Sequence, residues 1–400
     1  MTRSVNVALM GLVVGFMVMP VVQAAEENGN PLRFSAIVHS QFTDNRDSVD
    51  VNKQSNTDIY VSPRVDYTYD DGGHSRLTFH YMPSFRYRTE SGDGDDTMWW
   101  HDLGLDGLFA VSKRSRIRVY EQYNYNDDSA IVVGGAVERA NHTYSENTAE
   151  LGFNMDLYRY SSLDFVVRNN LKRFEDDIIA RTSDETITTL GAEHRYQINH
   201  TLRSVVGVTY GLFAYDSSVE RDFDSLLGKL GLENAFSPNT LGRFIVGWQG
   251  SEFDNSDLDS KDEPYLLASL ETRTGEDLSV GGEVSHGIRD TDAYPFAAQT
   301  YSQFRLFADF DITPSLMLRG YGIYRLSEYD KDDLPAGVVA PTFKGIDGGD
   351  DTTIVADLML DYTIIENVAL YLGYRYEDVD SEVGQSYKKN SGRIGASVSF

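Results

Sequence analysis

The chain has 400 residues, of which 62 are acidic and 35 basic, so its formal net charge is −27 at pH 7. That charge argues against a nucleic-acid partner, because binding phosphates requires the opposite sign. The sequence contains no Cys, which excludes disulfides, thiolate metal sites and cysteine nucleophiles. Tyr and Phe are abundant, with 25 and 20 copies, and Pro is rare, with 10, a composition that favours β-strands.

Residues 1–24 have the features of a secretory signal peptide. A positive charge at Arg3 precedes an apolar run from residue 7 to residue 22, and Val22-Gln23-Ala24 forms a small-x-small cleavage site. A transmembrane anchor is the alternative, which Pro20 and the small residues disfavour. We expect residues 25–32 to form a short N-terminal segment in the periplasm. No long apolar run follows residue 24, so no membrane-spanning helix is expected.

Short polar breaks recur about every 40 residues in the rest of the chain, at 70–75, 112–115, 158–162, 199–201, 237–240, 274–277, 313–315 and 366–367. Longer acidic breaks lie between them, as at 91–96, 254–263 and 330–351. Short breaks on one side and long breaks on the other are typical of an antiparallel meander across a membrane. The breaks delimit about eighteen strands. The sequence therefore predicts an all-β fold for residues 33–400, a transmembrane antiparallel up-and-down β-barrel with short periplasmic turns and long extracellular loops.

Apolar and polar side chains alternate within the predicted strands. In 76–88, Leu77 and Phe79 share one face, and Arg86 and Arg88 share the other. In a barrel, the apolar face contacts lipid and the polar face lines the lumen. A soluble β-sandwich would instead bury the apolar face in a core, an alternative that the long strands and the one-sided loops disfavour.

Charges of both signs are predicted on the lumen-facing side. The basic residues are Arg64, Arg86, Arg88, Arg116, Arg118, Arg195, Arg305, Arg319, Arg325 and Arg375, and the acidic residues are Asp66, Asp102, Asp106, Glu193, Glu271, Asp309, Asp357 and Asp361. We expect Arg86, Arg88, Arg319 and Arg325 on one part of the wall and Asp102, Asp106, Asp357 and Asp361 on another. The resulting transverse field would pass ions and polar solutes. The alternative is that these charges pair with one another and fill the lumen.

Aromatic residues at the predicted strand ends are expected to form girdles at the two membrane interfaces, because amphipathic rings favour the headgroup level. These residues include Trp99, Trp100, Tyr120, Tyr123, Tyr125 and Tyr374.

The last predicted strand, "RIGASVSF", has apolar residues at Ile394, Ala396, Val398 and Phe400. With the signal peptide, the absence of Cys and the alternating strands, it resembles a Gram-negative outer-membrane β-barrel. This resemblance implies an integral outer-membrane location, in contact with lipid and lipopolysaccharide. The four apolar positions resemble the signal recognised by the barrel-assembly machinery.

Two stretches of the first quarter extend the resemblance. "YVSPRVDYTYDDGGHSRLTFHYMPSFRYR" (60–88) and "SKRSRIRVYEQYNYNDD" (112–128) resemble the putative β-barrel porin type 2 group. Members of this group are sometimes associated with polysaccharide production or export.

Three functions follow as hypotheses. The first is a porin-like channel for small polar solutes or ions, with a mild preference for cations because the extracellular loops are acidic. The second is a structural or polysaccharide export-associated barrel with a plugged lumen. The third is an enzyme, for which His39, His80 and His101 could meet an acid in the lumen, but no catalytic motif accompanies them. No enzyme activity and no cofactor are therefore expected.

Metal binding and an energised transporter are also disfavoured. The acidic segments 257–263 and 329–335 lack the spacing of a dedicated calcium loop, so no metal site is expected. The segment before residue 33 is too short for a plug domain. The sequence leaves the oligomeric state open.

Overall fold

The computed structural model describes residues 31–89, 97–126, 143–216, 220–256, 258–275, 277–291, 296–330 and 348–400. The predicted signal peptide and nearly all of the predicted N-terminal segment lie outside these residues. Within them, eighteen strands form one antiparallel sheet in which β1 also pairs with β18. The predicted all-β barrel and its strand number are confirmed.

The strands are β1 Leu32–Thr43, β2 Asn56–Asp70, β3 Ser75–Arg88, β4 Thr97–Ser112, β5 Ser115–Asn126, β6 Tyr144–Tyr158, β7 Ser161–Phe174, β8 Glu185–Gln197, β9 Leu202–Tyr215, β10 Phe223–Ser237, β11 Thr240–Phe253, β12 Lys261–Thr274, β13 Leu278–Asp290, β14 Ala298–Thr313, β15 Leu316–Asp330, β16 Gly348–Ile365, β17 Val368–Ser381 and β18 Tyr387–Ser399. A short helix, α1 Asp177–Ser183, lies between β7 and β8. No helix among the described residues is long and apolar enough to span a bilayer.

The sheet closes through its first and last strands. Val38 of β1 lies opposite Ala396 of β18, and the Phe400 amide donates to the Phe34 carbonyl at 2.8 Å. Closure pairs the two strands that would otherwise be edges, which a membrane does not tolerate because unpaired backbone groups find no water there.

The eight short breaks predicted from the sequence all separate paired strands at one end of the barrel, called here the short-turn end. In the first of these turns, Asp71 Oδ1 accepts hydrogen bonds from the His74 and Ser75 amides at 2.8 and 2.7 Å. Gly72 and Gly73 occupy positive φ values of 80° and 129°, which explains the double glycine. The opposite end is called the long-loop end.

The two faces of the sheet differ as the alternation predicts. Leu230, Leu358 and Leu372 are examples of the apolar side chains exposed on the outer wall. Polar and charged side chains occupy the alternate positions on the inner wall. A buried apolar cluster on the inner wall lies toward the long-loop end and contains Ile323 and Val355.

The strands β10 and β11 approach so closely that Gly231 cannot carry a side chain without a shift. A Cβ at Gly231 would lie 2.3 Å from the carbonyl oxygen of Phe244. We expect Gly231→Ala to lower the stability of the barrel by about 1–3 kcal/mol, the usual cost of overpacking. The measurement is the temperature at which the folded, SDS-resistant band is lost on a gel.

Gly228→Ala on the same strand is the matched control, because a Cβ there has no atom within 4 Å. Equal shifts in the two variants would show that the loss of glycine, and not the contact with β11, determines the effect.

Candidate functional site

The candidate site is the inner wall, and the register of the sheet assigns its residues. Directly paired residues in neighbouring strands point to the same face of the sheet. Val38 is exposed on the outer face, so its partner Val61 also lies on the outer face, and so does Phe85, which pairs with Val61. Arg86 and Arg88 alternate with Phe85 and lie on the inner face. The same reasoning, continued around the sheet, places each charged residue predicted for the lumen on the inner wall.

Near the short-turn end, the inner-wall charges form pairs. Arg319 Nη2 lies 2.7 Å from Asp361 Oδ2, and Arg118 Nη2 lies 3.2 Å from Asp106 Oδ2. The side chains of Arg319 and Arg118 are each 49% exposed, so both remain accessible from the lumen. Exposed pairs of this kind contribute little to stability, so exchanging their mutual contact for a contact with a solute costs little free energy.

The predicted separation of bases and acids onto different parts of the wall is therefore wrong. Arg319 and Asp361 were expected apart, yet they bind each other across β15 and β16. Asp102 lies on the strand next to Arg86 and binds His80 at 2.9 Å. The reason is that opposite charges on adjacent strands attract each other. The sequence pattern of a single strand does not show which residue of the neighbouring strand lies opposite each of its own residues.

A larger network joins four strands on the inner wall. Glu193 of β8 lies 3.0 Å from Lys229 of β10, 2.5 Å from Arg195 of its own strand and 3.4 Å from Arg243 of β11. Arg195 also binds Asp164 of β7. Arg195 and Glu193 are among the residues predicted for the lumen, whereas Lys229, Arg243 and Asp164 are not, although the alternation places all three on the inner wall.

A second network lies on the opposite part of the wall, on β15 to β18. Asp357 accepts a hydrogen bond from Arg393 at 2.7 Å and lies 3.9 Å from Arg375. Arg375 Nε lies 2.5 Å from Glu377, and its Nη1 donates to the Tyr321 hydroxyl at 2.9 Å. Two carboxylates and two guanidinium groups thus balance one another.

Aromatic rings and an arginine occupy the inner wall of β1 to β4. His39 stacks on Tyr60 with a centroid distance of 4.3 Å, and Tyr60 contacts Trp100 at 5.0 Å. The guanidinium of Arg86 lies 5.5 Å from the Trp100 ring, in cation–π geometry. Arg86 and Tyr60 are almost completely buried.

The remaining predicted residues are distributed along the same wall. Arg64 binds Asp66 at 2.7 Å, Arg88 lies 3.3 Å from Asp58, Arg325 Nε donates to Gln303 at 2.9 Å and Arg305 lies over the Phe307 ring. Arg116, Glu271 and Asp309 are exposed on the inner wall toward the short-turn end.

The exposure of the inner wall changes along the barrel axis. Toward the short-turn end, Arg118, Asp106 and Arg319 are open to the lumen. Toward the long-loop end, Arg325 and Glu377 are buried, together with the apolar cluster around Val355. The lumen wall is thus open in one half and closely packed in the other.

The predicted aromatic girdle is partly wrong. Trp99, Tyr123, Tyr125 and Tyr374 lie on the outer wall, but Trp100 and Tyr120 lie on the inner wall, where each contacts an arginine. Adjacent residues of a strand point to opposite faces, so Trp99 and Trp100 cannot both face lipid.

The three candidate histidines also separate. His39 and His80 lie on the inner wall, whereas His101 lies on the outer wall, where the Tyr81 hydroxyl is 3.0 Å from its Nδ1. Among the residues that the structure describes, no cluster of three or more His, Asp or Glu could hold a metal ion. The two acidic segments lie partly outside the described residues, which do not include Asp257 or residues 331–335.

A closed antiparallel barrel with an apolar outer wall and a charged inner wall defines the class of transmembrane β-barrels. Residues 32–400 match the family model described as putative beta-barrel porin 2, and the chain belongs to this family. The protein is therefore a porin-type barrel integral to the outer membrane, with its short-turn end in the periplasm and its long-loop end outside the cell. Its outer wall contacts membrane lipid. No relative was found among curated proteins.

Solved outer-membrane proteins show a distant likeness. The siderophore receptor PirA from Pseudomonas aeruginosa is 11% identical with a TM-score of 0.47, over 93% of this chain and 80% of that chain. The outer membrane protein OpdK from Pseudomonas aeruginosa is 11% identical with a TM-score of 0.47, over 92% and 99%. OccAB4 from Acinetobacter baumannii is 10% identical with a TM-score of 0.46, over 93% and 99%.

Proposed function

We propose that the protein is a channel for passive diffusion of small polar solutes or ions, with a mild preference for cations. The observation that carries the proposal is the inner wall, which presents accessible charges of both signs in its periplasmic half, among them Arg118, Asp106 and Arg319. Such a wall replaces part of the hydration of an ion or polar solute and offers nothing to an apolar one. In the extracellular half, inner-wall residues such as Arg325 and Glu377 are buried.

The cation preference rests on the extracellular mouth. In the described part of the loops, carboxylates outnumber bases, as in 175–184 and 216–222. Their field extends over about a Debye length, roughly 8 Å at physiological salt, and enriches cations at the entrance. We expect the family's outer-membrane location to bring these loops close to lipopolysaccharide, whose divalent counter-ions the same field would attract.

The test is the reversal potential of the purified protein in a planar bilayer under a salt gradient. We expect a cation-selective current. Converting every carboxylate of 254–263 to its amide should reduce the selectivity, because the field at the mouth weakens.

The matched control converts Asp70, Asp71 and Glu366, which lie at the periplasmic end, to their amides. This control should change the selectivity less, if solutes are selected at the extracellular mouth. An anion-selective wild type, or a loop variant indistinguishable from wild type, would contradict the cation preference.

A second candidate is a structural or polysaccharide export-associated barrel with a plugged lumen. The burial of Arg325, Val355 and Glu377 on the inner wall of the extracellular half favours it. The same bilayer measurement separates the two functions, because a plugged lumen gives no current at any voltage.

We further propose that Ile394, Ala396, Val398 and Phe400 act as the signal for the barrel-assembly machinery. Ile394 is 63% and Phe400 78% exposed on the outer wall. An extended strand with apolar side chains on one accessible face is a suitable template for strand addition.

A further inference from the structure

The outer wall of β5 to β8 carries a group of neighbouring polar side chains that includes a carboxylate midway along a strand. Glu121 lies midway along β5, directly opposite Leu105 of β4 and Ala149 of β6. Its face is that of Leu151 and Val167, which are exposed apolar residues. Glu121 therefore points away from the lumen at mid-depth in the membrane.

Three further polar residues continue this surface toward the extracellular side. Asn147 of β6 donates to Glu121 Oε1 at 3.1 Å, and Asn169 of β7 donates to Thr188 Oγ1 of β8 at 2.9 Å. Asn169 is paired directly with Ala149 and with Thr188, so these side chains form one continuous row with Glu121. We call Glu121, Asn147, Asn169 and Thr188 the polar patch.

The patch is unusual within the described outer wall. Other outward carboxylates, such as Asp224 and Glu252, lie at the extracellular ends of their strands, where water and headgroups are available. At the depth of Glu121, the outer wall elsewhere presents residues such as Leu230 and Leu358. A charged side chain facing lipid at mid-depth is destabilising, and a carboxylate or amide in hydrocarbon needs hydrogen-bond partners.

The hydrogen bonds within the barrel use only part of the capacity of these groups. A carboxylate accepts about four hydrogen bonds and a primary amide offers two donors and two acceptors. The described structure shows one hydrogen bond at the Glu121 carboxylate and one from each asparagine amide. The patch thus presents both donors and acceptors outward, and the small side chain of Ala149 lies between Glu121 and Asn169.

We propose that the polar patch is the contact surface of a homodimer, with a second copy of this chain as its occupant. Lipid tails offer no donors at this depth, and headgroups lie at the ends of the strands. A second barrel crosses the membrane in the same direction, so a twofold axis along the membrane normal brings the patch of one copy against the same patch of the other at the same depth. The asparagine amides of one copy then donate to the carboxylate and carbonyl oxygens of its partner.

The experiment uses the full mature chain in lipid nanodiscs and in native outer membranes. The chain has no Cys, so a single introduced Cys reports one position without background. We expect Ala149→Cys and Thr186→Cys to give a covalent dimer with a short bifunctional thiol reagent. Ala356→Cys, on the outer wall of β16 and distant from the patch, is the matched control and should give none.

A second variant tests the role of the polar groups. Glu121→Leu combined with Asn147→Leu replaces polar by apolar side chains on the lipid face, so the barrel itself should fold at least as well. The dissociation constant of the dimer should rise about tenfold or more, since each lost hydrogen bond in a membrane weakens association several-fold. Particle mass in nanodiscs and the heat-resistant folded band on a gel provide the two readouts.

Three outcomes would overturn the proposal. One is a wild type that is monomeric by mass and gives no cross-link at position 149 or 186, which would assign the patch to lipid. Another is cross-linking of these positions to a different polypeptide. The third is equal cross-linking at 149 and 356, which would indicate random collision. None of these depends on whether the barrel conducts.

Discussion

Replacing Leu230 by Arg is expected to abolish most of the folded barrel in the membrane. Leu230 is 60% exposed on the outer wall and pairs with Val206 and Val246, both of which also face lipid. Arginine near the middle of a lipid-facing strand destabilises a barrel by about 2–4 kcal/mol. That cost is a large fraction of the net stability of most folded proteins. The measurement is the yield of heat-modifiable protein in outer-membrane fractions.

Thr209→Arg is the matched control, because Thr209 lies on the adjacent strand β9 but on the inner wall, where it pairs with Leu227. A lumen-facing arginine remains in contact with water, as Lys229 does on β10. The control should therefore retain near wild-type yield. If the two arginine variants were equally depleted, the assignment of outer and inner walls in this region would be wrong.

Neutralising Asp357 is expected to shift the channel toward anions. Asp357 and Glu377 balance Arg375 and Arg393 on the inner wall, so Asp357→Asn leaves this network with a net positive charge. A unit charge in water acts on an ion at about 8 Å with roughly 0.5 kcal/mol, and the sign is opposite for cations and anions, so the permeability ratio of cations to anions changes by up to about fivefold. Arg393→Gln should shift the ratio by a similar factor in the opposite direction.

Asp361→Asn provides the control for position along the bore. Asp361 pairs with the accessible Arg319 in the open half of the lumen, where water and salt screen its charge more strongly. Its effect on the reversal potential should be clearly smaller than that of Asp357→Asn. If the two variants changed the reversal potential equally, the closely packed half would not be where cations and anions are distinguished.

The strands and turns of this barrel were predictable because each depends on local sequence. The alternation in 76–88 assigns the inner and outer faces of β3 without any knowledge of its neighbours, and "DDGGHS" ends β2 because only glycine adopts positive φ readily. Both signals are properties of a few consecutive residues.

The arrangement of charges was not predictable in the same way. Whether Arg319 meets Asp361 depends on the register between β15 and β16, which turns and packing set together. The same limit explains why Lys229 and Arg243 were missed as partners of Glu193, since these three residues come from three strands. The inward position of Trp100 follows from strict alternation with Trp99, so a girdle that includes both residues is not compatible with one strand.

Closure of the sheet also has a consequence for how the chain folds. Ser35 pairs with Ser399, so the contacts that complete the barrel join residues from nearly opposite ends of the described chain. Pairing residues so far apart in the chain is slow, because much chain entropy is lost before these contacts form. During that delay both β1 and β18 expose unpaired backbone groups that can join strands of other molecules. The closed topology itself therefore creates a kinetic need for protection from aggregation until the first and last strands meet.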